Sequence, residues 1–515
     1  MNVLLVSIDS LRRDVLGTYR ETPAFLDEAI KTPHLDRFAD RAAVFESHYA
    51  GSLPCMPARR EWHTGIQEFL WRPWGPIEPF DSTLPRLARE DGVLTNLITD
   101  HYHYFQHGSH GYYEDYNGFS FVRGNEYDAW RTTPQKPPDP PYTQLCPTET
   151  DGPMGTAFLN RSQYARNAGT LTDESKFFSP QVFSAAVDWL DSVDGWDRWF
   201  CYVDSFDVHE PFHCPEPYAS MYTRENPADP DLPVWPHYGR VDEGRSALTD
   251  RELDFIRSQF AGTVTMVDKW FGRLLDALDD SFWGETMVIV TSDHGFFLGD
   301  SGWIGKNDAP VYDRLGRTPL LVWDPDSPRM GERIPSLTSA VDLYATALET
   351  LGVNVPAHVH SRSLIPLLRG DANGHRDWAL YGYWGRAVNV TDGRFTYLHP
   401  CDGTSDTDCY STTMLNPNAP FVPPTPKHAE SGPFLPYTDA PVWRFSGAST
   451  SQTNEPLLYD TESDPDQREN LVGTESTEHE RMRDLLVDAL ETLDAPTSQY
   501  DRLDLNRSQS GSKQQ

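Results

Sequence analysis

Several short apolar runs along the chain are each followed by acidic or histidine residues. The clearest runs cover residues 3–8, 94–98, 199–203 and 287–290. Continuous β-branched runs of this length, separated by helical patterns, predict strands buried on both faces of a mainly parallel sheet. The carboxyl ends of such strands share one edge, where ligands bind. A single acidic residue after a strand would indicate a loop carboxylate or a helix cap. Because acidic residues follow all four runs, a shared functional site is favoured. The residues that follow the runs are Asp9; Asp100, His101 and His103; Asp204, Asp207 and His209; and Asp293 and His294.

Helical patterns supply a second layer. Apolar residues recur at helical spacing across 255–278, which predicts an amphipathic helix packed on the sheet. After about residue 375 the pattern alternates around a turn at 391–393, which indicates a hairpin, and a helical pattern follows at 482–493. We therefore expect an α/β fold with a large, mainly parallel sheet sandwiched by helices over 1–374. A smaller α+β domain over 375–500 and a disordered tail over 501–515 would follow.

Two long segments rich in proline and threonine or other turn-forming residues interrupt these patterns, at about 130–155 and 415–442. Long irregular segments inside a compact enzyme are often binding loops or lids, so both are candidates for shaping a substrate pocket. Plain surface loops are the alternative.

The composition narrows the classes of partner. The 515 residues carry a formal charge of −34, from 77 acidic and 43 basic side chains, which disfavours binding to nucleic acid or to an anionic membrane. Only seven of the basic residues are lysine, and this acid-rich, lysine-poor composition resembles proteins of salt-in halophiles. The N-terminus lacks the features of a secretory signal and no apolar run is long enough to span a bilayer, so we expect a cytoplasmic protein. The six cysteines lack zinc-like spacing and are expected to be free thiols, although Cys401 and Cys409 could pair in an exported protein.

One cysteine stands in a setting suited to an anion. In SLPCMPARREWHTG, residues 52–65, Pro57 suits the first turn of a helix, which places Cys55 at or just before the helix N-terminus. The helix dipole, with Arg59 and Arg60 one turn on, would acidify the thiol and make it reactive. The alternative is a buried structural cysteine.

These residues also carry a resemblance to a known family. Cys55-Met56-Pro57-Ala58-Arg59, with Thr64-Gly65 following, resembles the C-x-P-[SA]-R…TG signature of type I sulfatases, in which the cysteine is converted to formylglycine. Asp9 in VSIDSLRRD, His209 in FDVHEPF, and Asp293-His294-Gly295 followed by Lys306 are similar to the family's motifs as well, in the family's order. The similarity runs from residue 2 to about residue 495. It implies the alkaline-phosphatase-like form of the fold, with a mixed, mainly parallel sheet.

The resemblance also implies roles for single residues. Asp9, Asp293, His294 and an oxygen of the modified Cys55 would hold one divalent cation, Ca²⁺ or Mg²⁺ by the oxygen ligands, with Mn²⁺ allowed by the histidine. The hydrated aldehyde would attack sulfur, release the alcohol and then expel sulfate. Arg59 would orient the hydrate, and Lys306 would bind sulfate and assist the leaving group. His209 would act near the leaving oxygen as general acid or hydrogen-bond donor.

Two departures from the family pattern affect this assignment. Ser10 stands where the family often has a second aspartate, so Ser10 is a weak ligand or none. The family's G-K-W-H segment corresponds to residues 100–103 here, with His101 at the lysine that binds substrate and His103 at the histidine that deprotonates the hemiacetal. A slip of one residue in this match stays open, and His107 and His110 are assigned to the surface or to a substrate loop.

The substrate is left open at this stage. Hydrolysis of a sulfate ester, on a small molecule or more specifically a carbohydrate, is favoured, since aromatic segments could stack on sugar rings. A formylglycine-dependent phosphonate monoester or phosphodiester hydrolase is the alternative, because sulfuryl and phosphoryl groups share tetrahedral geometry. A non-catalytic binder of sulfated glycans is a third reading. A maturation enzyme that generates formylglycine is implied as a partner, and the oligomeric state is unknown.

Overall fold

The computed structural model describes residues 1–106, 108–132, 161–419, 424 and 428–506. Most of the first proline-rich segment, part of the second, His107 and Cys146 lie outside the described residues. The helices, numbered in chain order, are α1 Pro33–Ala39, α2 Cys55–Thr64, α3 Leu84–Glu90, α4 Arg161–Ala168, α5 Phe178–Ser192, α6 Asp250–Asp276, α7 Asp280–Glu285, α8 Asp313–Gly316, α9 Asp342–Thr350, α10 Ile365–Leu368, α11 Ser476–Thr492 and α12 Thr497–Arg502.

The strands form one large sheet and three small ones. In chain order they are β1 Asn2–Ile8, β2 Ala43–Tyr49, β3 Ser52–Leu53, β4 Leu94–Thr99, β5 Gly118–Phe121, β6 Trp199–Ser205, β7 Gly239–Arg240, β8 Thr286–Thr291, β9 Phe297–Leu298, β10 Trp303–Gly305, β11 Leu320–Trp323, β12 Arg333–Ser339, β13 Ala379–Tyr383, β14 Val388–Thr391, β15 Phe395–His399, β16 Asp406–Ser411, β17 Glu430–Gly432, β18 Val442–Ala448 and β19 Leu457–Asp460.

The large sheet has the strand order β12-β2-β11-β8-β1-β6-β4-β5. Its strands run parallel except β11, which is antiparallel to both of its neighbours. The four predicted strands are β1, β4, β6 and β8, and they are neighbours in this sheet. Apolar side chains cover both faces, with the α5–α6 layer on one side and α2, α3 and α9 on the other. The predicted mixed, mainly parallel fold is therefore confirmed.

Strand β6 is two residues longer than the apolar run predicted. The run was expected to end at Val203, but Asp204 and Ser205 are strand residues and are fully buried. The carboxylate of Asp204 tolerates this position because Arg59 donates two hydrogen bonds to it, at 2.8 and 2.7 Å. A paired carboxylate inside a strand breaks the apolar pattern without ending the strand.

The predicted amphipathic helix is present as α6. It begins five residues before the expected start, because Thr249 and Glu252 form a capping box. These residues are polar, so hydrophobic spacing could not reveal them. The buried stripe of α6 packs against α5 and α1 and fixes one face of the large sheet.

The C-terminal region is tied to the segment before Cys55. The hairpin predicted at residues 391–393 is present as β14–β15. Both strands belong to a five-stranded sheet, β19-β15-β14-β13-β3, on which α11 packs. Its edge strand β3 comes from far earlier in the chain and pairs in parallel with β13, Tyr383 opposite Leu53. The domain limits given above remain a prediction.

Two absences concern only the described residues. None of the helices in these ranges is both long and apolar enough to cross a bilayer. Within these ranges Cys401 and Cys409 form no disulfide with each other, and Cys55, Cys201, Cys214 and Cys401 carry free thiols.

Candidate active site

Four neighbouring parallel strands bring the predicted site residues to one edge. Ser7 of β1 pairs with Asp204 of β6 and with Thr291 of β8, and Thr99 of β4 pairs with Asp204 as well. Asp9, His101 and the Asp293–His294 pair follow these positions directly. The sheet therefore brings together side chains that are hundreds of residues apart, as the apolar runs predicted.

Cys55 is the first residue of α2 and lies at the centre of this edge. Its Sγ is 3.3 Å from His294 Nε2 and 3.3 Å from Lys306 Nζ, and the residue is 1 % exposed. Burial, together with the nearby charge of Asp9, raises the pKa of the thiol well above its ordinary value despite the opposing effect of Lys306. The expected acidification of the thiol is therefore wrong, because the burial and the carboxylates around it outweigh the helix N-terminus.

Asp9, Cys55, Asp293 and His294 form a candidate metal centre. Their donor atoms all lie within 4.8 Å of one another. Burial and the charge of Asp9 raise the pKa of Asp293 to about 7, whereas Lys306 and Arg59 outweigh burial and hold the pKa of Asp9 well below its usual value. His294 Nδ1 donates to the carbonyl oxygen of Gly295 at 2.9 Å, so Nε2 keeps its lone pair and faces Cys55.

These residues fit a divalent cation. Asp9 Oδ2 is buried and accepts no hydrogen bond, although Arg59 Nη2 and His101 Nε2 lie 3.1 and 3.3 Å away. Two carboxylates that share a buried space with an imidazole lone pair are stabilised by a positive charge between them.

Ser10 braces the carboxylates of this centre. Its Oγ donates to Asp9 Oδ1 at 2.8 Å, its backbone N–H donates to Asp293 Oδ1 at 3.0 Å, and Lys306 Nζ donates to its Oγ at 3.4 Å. The residue has φ of 60°, a conformation that is uncommon for a residue with a side chain. A direct bond from Ser10 to the metal remains a prediction.

Arg59 lies beneath Cys55 and contacts three carboxylates, each at the end of a different strand. Its guanidinium contacts Asp204, Asp293 and Asp9 at distances of 2.7–3.1 Å, and Nη1 also donates to the carbonyl oxygen of Cys55 at 3.1 Å. These contacts neutralise buried negative charge and fix the first turn of α2. The orientation of a hydrate by Arg59 remains a prediction.

A cavity of about 300 Å³ opens above Cys55. Lys306, His103 and His209 line it, as expected for residues that meet a substrate. His101 is not among the lining residues: it is fully buried beside Asp9, so the structure places it under the cavity and not at its wall. A ring nitrogen of His101 nevertheless lies within 4.8 Å of Cys55 Sγ and of a ring nitrogen of His103, and its contact with substrate remains a prediction.

Sequence reasoning missed several side chains at the cavity. Glu126 Oε2 lies 2.8 Å from His103 Nε2, and Glu210 Oε2 lies 3.3 Å from His209 Nδ1. Glu210 directly follows His209 in FDVHEPF, so the sequence indicates that it lies near the site. Glu126 follows no apolar run and belongs to no motif, and only the tertiary structure brings it here. Asp204 follows an apolar run, but nothing in the sequence indicates that Arg59 is its partner.

Comparison with known proteins agrees with this geometry. Residues 1–353 match the family model described as Sulfatase. The chain belongs to the sulfatase family. This sulfatase is 27 % identical over 427 residues to the multifunctional alkaline phosphatase superfamily protein PehA of Trinickia caryophylli, which covers 71 % of this chain and 77 % of that protein. It is 26 % identical over 407 residues to iduronate 2-sulfatase of Homo sapiens, covering 72 % and 68 %.

A solved structure supports the same fold. The phosphonate monoester hydrolase of Agrobacterium radiobacter superposes with a TM-score of 0.65 at 20 % identity, covering 96 % of this chain and 95 % of that one. The resemblance to sulfatases of the alkaline phosphatase superfamily is therefore confirmed, and the sulfatase is a hydrolase of sulfate esters.

Proposed function

We propose that this sulfatase hydrolyses sulfate esters of carbohydrates, using a formylglycine hydrate derived from Cys55. One observation carries the proposal: at the first turn of α2, the Sγ of Cys55 lies 3.3 Å from both the Lys306 ammonium and His294 Nε2, and it lines the cavity. A nucleophile held between a cation and a metal-binding set suits attack on a tetrahedral anion.

Asp9, Asp293, His294 and the modified residue at position 55 would hold the divalent cation, with Ca²⁺ favoured by the carboxylates and Mg²⁺ or Mn²⁺ as alternatives. The bound cation would supply positive charge that polarises the sulfate and makes a hydroxyl on residue 55 more acidic. Ser10 keeps the two carboxylates in place, and Arg59 offsets their charge from below.

Lys306 is the proposed sulfate-binding residue. Burial opposes its charge, but Cys55 and Asp9 raise its pKa above the ordinary value, so the ammonium stays protonated. It donates toward Cys55 and Ser10, and an oxygen of sulfate placed on residue 55 would take over one of these hydrogen bonds. Such a contact strengthens as charge builds up on the leaving oxygen.

His209 is the proposed residue at the leaving oxygen. Its Nδ1 donates to the carbonyl oxygen of Glu210 at 2.7 Å, so a neutral ring presents Nε2 to the cavity as an acceptor. Burial lowers the pKa of His209 well below the ordinary value. His209 can therefore protonate the leaving oxygen only with a second proton, and the Glu210 carboxylate 3.3 Å from Nδ1 would stabilise that charged form.

A carbohydrate is the proposed substrate class. Aromatic side chains dominate the apolar wall of the cavity, and rings of this kind stack on sugar faces. The name of iduronate 2-sulfatase, one of the relatives, refers to a sulfated sugar acid. A formylglycine-generating enzyme is proposed as the maturation partner.

Phosphonate or phosphodiester hydrolysis is the second candidate, favoured by the likeness to the phosphonate monoester hydrolase. The decisive experiment has two parts. Mass spectrometry of the Cys55 peptide should find the aldehyde, and the purified protein should then hydrolyse sulfated sugars and aryl sulfate with higher kcat/KM than phosphonate or phosphodiester esters. Cys55→Ala is the control and should lose the activity. An unmodified thiol in protein from its native source, or a larger kcat/KM on phosphonate esters, would contradict the proposal.

A further inference from the structure

The cavity above Cys55 has an acidic wall, formed by Glu126 and Glu210. Glu126 accepts a hydrogen bond from the hydroxyl of Tyr102, and Glu210 accepts one from the hydroxyl of Tyr238. Oε2 of each carboxyl group is buried and accepts no hydrogen bond, although His103 Nε2 lies 2.8 Å from that of Glu126 and His209 Nδ1 lies 3.3 Å from that of Glu210. Glu126 is 5 % exposed and Glu210 is 2 % exposed, so solvent reaches neither freely.

The two carboxyl groups lie close to each other and to His209. Donor atoms of Glu126, Glu210 and His209 lie within 4.8 Å of one another, at the lining of the cavity that contains Cys55. A buried carboxylate oxygen without a donor is costly, so a ligand that brings a hydrogen-bond donor to this point is stabilised there. A donor group of the substrate would therefore be stabilised at the acidic wall.

The charges around the cavity indicate a positive donor. Among the described lining residues, the cations are Lys306 and Arg161. Lys306 is directed at Cys55, where the sulfate is proposed to bind, and Arg161 donates to the carbonyl oxygens of Trp235 and Pro236 at 2.6 and 2.9 Å. With Lys306 balanced by the sulfate and both carboxyl groups ionised, Arg161 offsets one negative charge, and a single positive charge on the ligand offsets the other.

The shape and lining of the cavity fit an organic cation. At about 300 Å³ the cavity is far larger than a bare metal ion. Aromatic faces attract alkylammonium groups through their ring quadrupoles. The rings that line this cavity belong to Trp74, Tyr102, Tyr127, Trp235 and Tyr238.

We infer that Glu126 and Glu210 form a subsite for a protonated amine, so that the preferred substrate is the sulfate ester of an amino sugar or amino alcohol. This inference rests on the proposed function, because it places the sulfate at Cys55 and Lys306. His103 and His209 then lie between the two ends of a substrate with opposite charges.

The test compares two substrates that differ only at the proposed donor. 4-(Aminomethyl)phenyl sulfate carries an alkylammonium group, and 4-(hydroxymethyl)phenyl sulfate has a neutral hydroxyl in its place. At about pH 8.5, where the acidic wall is mostly ionised, we expect kcat/KM to favour the amine at least about tenfold in the native protein. In Glu126→Gln and Glu210→Gln this ratio should fall towards one, whatever the absolute rates become. Glu243→Gln removes a charge from an exposed position and should leave the ratio unchanged.

Three results would overturn the inference: a native ratio near one, a ratio that survives both substitutions, or a second equivalent of metal in the purified protein that Glu126→Gln removes. Benzylamine and benzyl alcohol, which carry no sulfate, separate this inference from the proposed function. Calorimetric titration of the Cys55→Ala protein should detect tighter binding of benzylamine than of benzyl alcohol. Amine binding without any sulfatase activity would leave the acidic wall assigned and would contradict the proposed function alone.

Discussion

At the scale of single residues, Lys306 has the clearest expected effect. It is buried, and its ammonium contacts Cys55 and Ser10. Lys306→Ala should lower kcat on aryl sulfate by about 10² to 10³, the usual cost of removing one preorganised donor at a developing negative charge. Steady-state kinetics with the formylglycine-containing protein would measure it.

Lys269 provides the matched control. Its ammonium pairs with Glu174 at 2.7 Å on the surface, where the lysine side chain is 40 % exposed. Lys269→Ala should leave kcat within about twofold of the native value, because a surface ion pair that does not line the cavity contributes little. Similar losses for both variants would contradict the role of Lys306.

The acidic wall makes a prediction about pH. Burial raises the pKa of Glu210 to about 7 and that of Glu126 to about 8, in both cases against the attraction of Lys306. Both carboxyls are therefore neutral below these values and become negative as the pH rises through them. The preference for 4-(aminomethyl)phenyl sulfate over its hydroxymethyl analogue should grow between about pH 6 and about pH 8.5, where the benzylic amine stays mostly protonated. The two carboxyls repel each other, and the other groups that act on them are Asp9, Tyr102, His103, Tyr127, Arg161, His209, Tyr238 and Lys306.

The measurement is the kcat/KM ratio for the two substrates at each pH. Using a ratio cancels titrations that affect both substrates, such as those at the metal-binding residues. Glu126→Gln and Glu210→Gln should each flatten the profile. A ratio that falls as the pH rises would contradict the prediction.

How much of the site could be predicted from the sequence depends on how each residue is positioned. Cys55, Asp293, His294 and Lys306 stand in motifs or directly after apolar runs, so sequence sufficed to bring them together. Glu126 has φ of 42° in a loop, and no local pattern indicates that its carboxylate faces the cavity. The raised pKa of Cys55 could not be predicted from the sequence either, because it depends on burial and on carboxylates from other strands.

At the scale of elements, the start of α9 depends on one buried ionic cluster. Asp342 is fully buried and accepts from Arg376 Nε at 2.8 Å, from His375 Nε2 at 3.0 Å and from the backbone N–H of Arg362 at 2.9 Å. Arg376 outweighs the effect of burial and lowers the pKa of Asp342 below its ordinary value. The cluster fastens α9 to the segment before β13.

Asp342→Asn should destabilise the protein by about 3 to 5 kcal/mol, because it leaves the Arg376 guanidinium buried without its carboxylate. Urea unfolding followed by circular dichroism would measure the loss. Asp326→Asn is the matched control, since Asp326 lies 3.8 Å from Arg369 in an exposed pair. Equal losses of unfolding free energy in the two variants would show that the buried cluster stabilises the protein no more than an exposed ion pair does.

Element limits were less predictable than element types. The apolar runs located β1, β4, β6 and β8 because each is buried on both faces. Polar residues that belong to an element, such as the capping box of α6 and Asp204 in β6, shifted the limits by two to five residues. Pairing of β3 with β13 joins two short segments that are far apart in the chain, and local periodicity carries no information about such a pair.

At the scale of the whole molecule, the charge of −34 makes a prediction about salt. Self-repulsion among surface carboxylates opposes folding, and added ions screen it within about 10 Å at 0.1 M salt. We expect Tm to rise with KCl and to continue rising above about 1 M, as in proteins of salt-in halophiles. Calorimetry across KCl concentrations would measure this, with sucrose as an uncharged comparison. A plateau of Tm below about 0.5 M would indicate simple screening and would contradict the halophilic assignment.

The position of Cys55 has a consequence for how the active protein is made. Strand β3, which ends two residues before this cysteine, completes its sheet only when β13 arrives, much later in synthesis. In the folded protein Cys55 is 1 % exposed at the base of a cavity of about 300 Å³. A maturation enzyme therefore cannot bind the segment around it. The proposed conversion to the aldehyde would therefore take place while the ribosome is still extending the chain, or before this part of the chain folds. Cells that make the polypeptide faster than they oxidise it would accumulate a well-folded fraction that can never be activated.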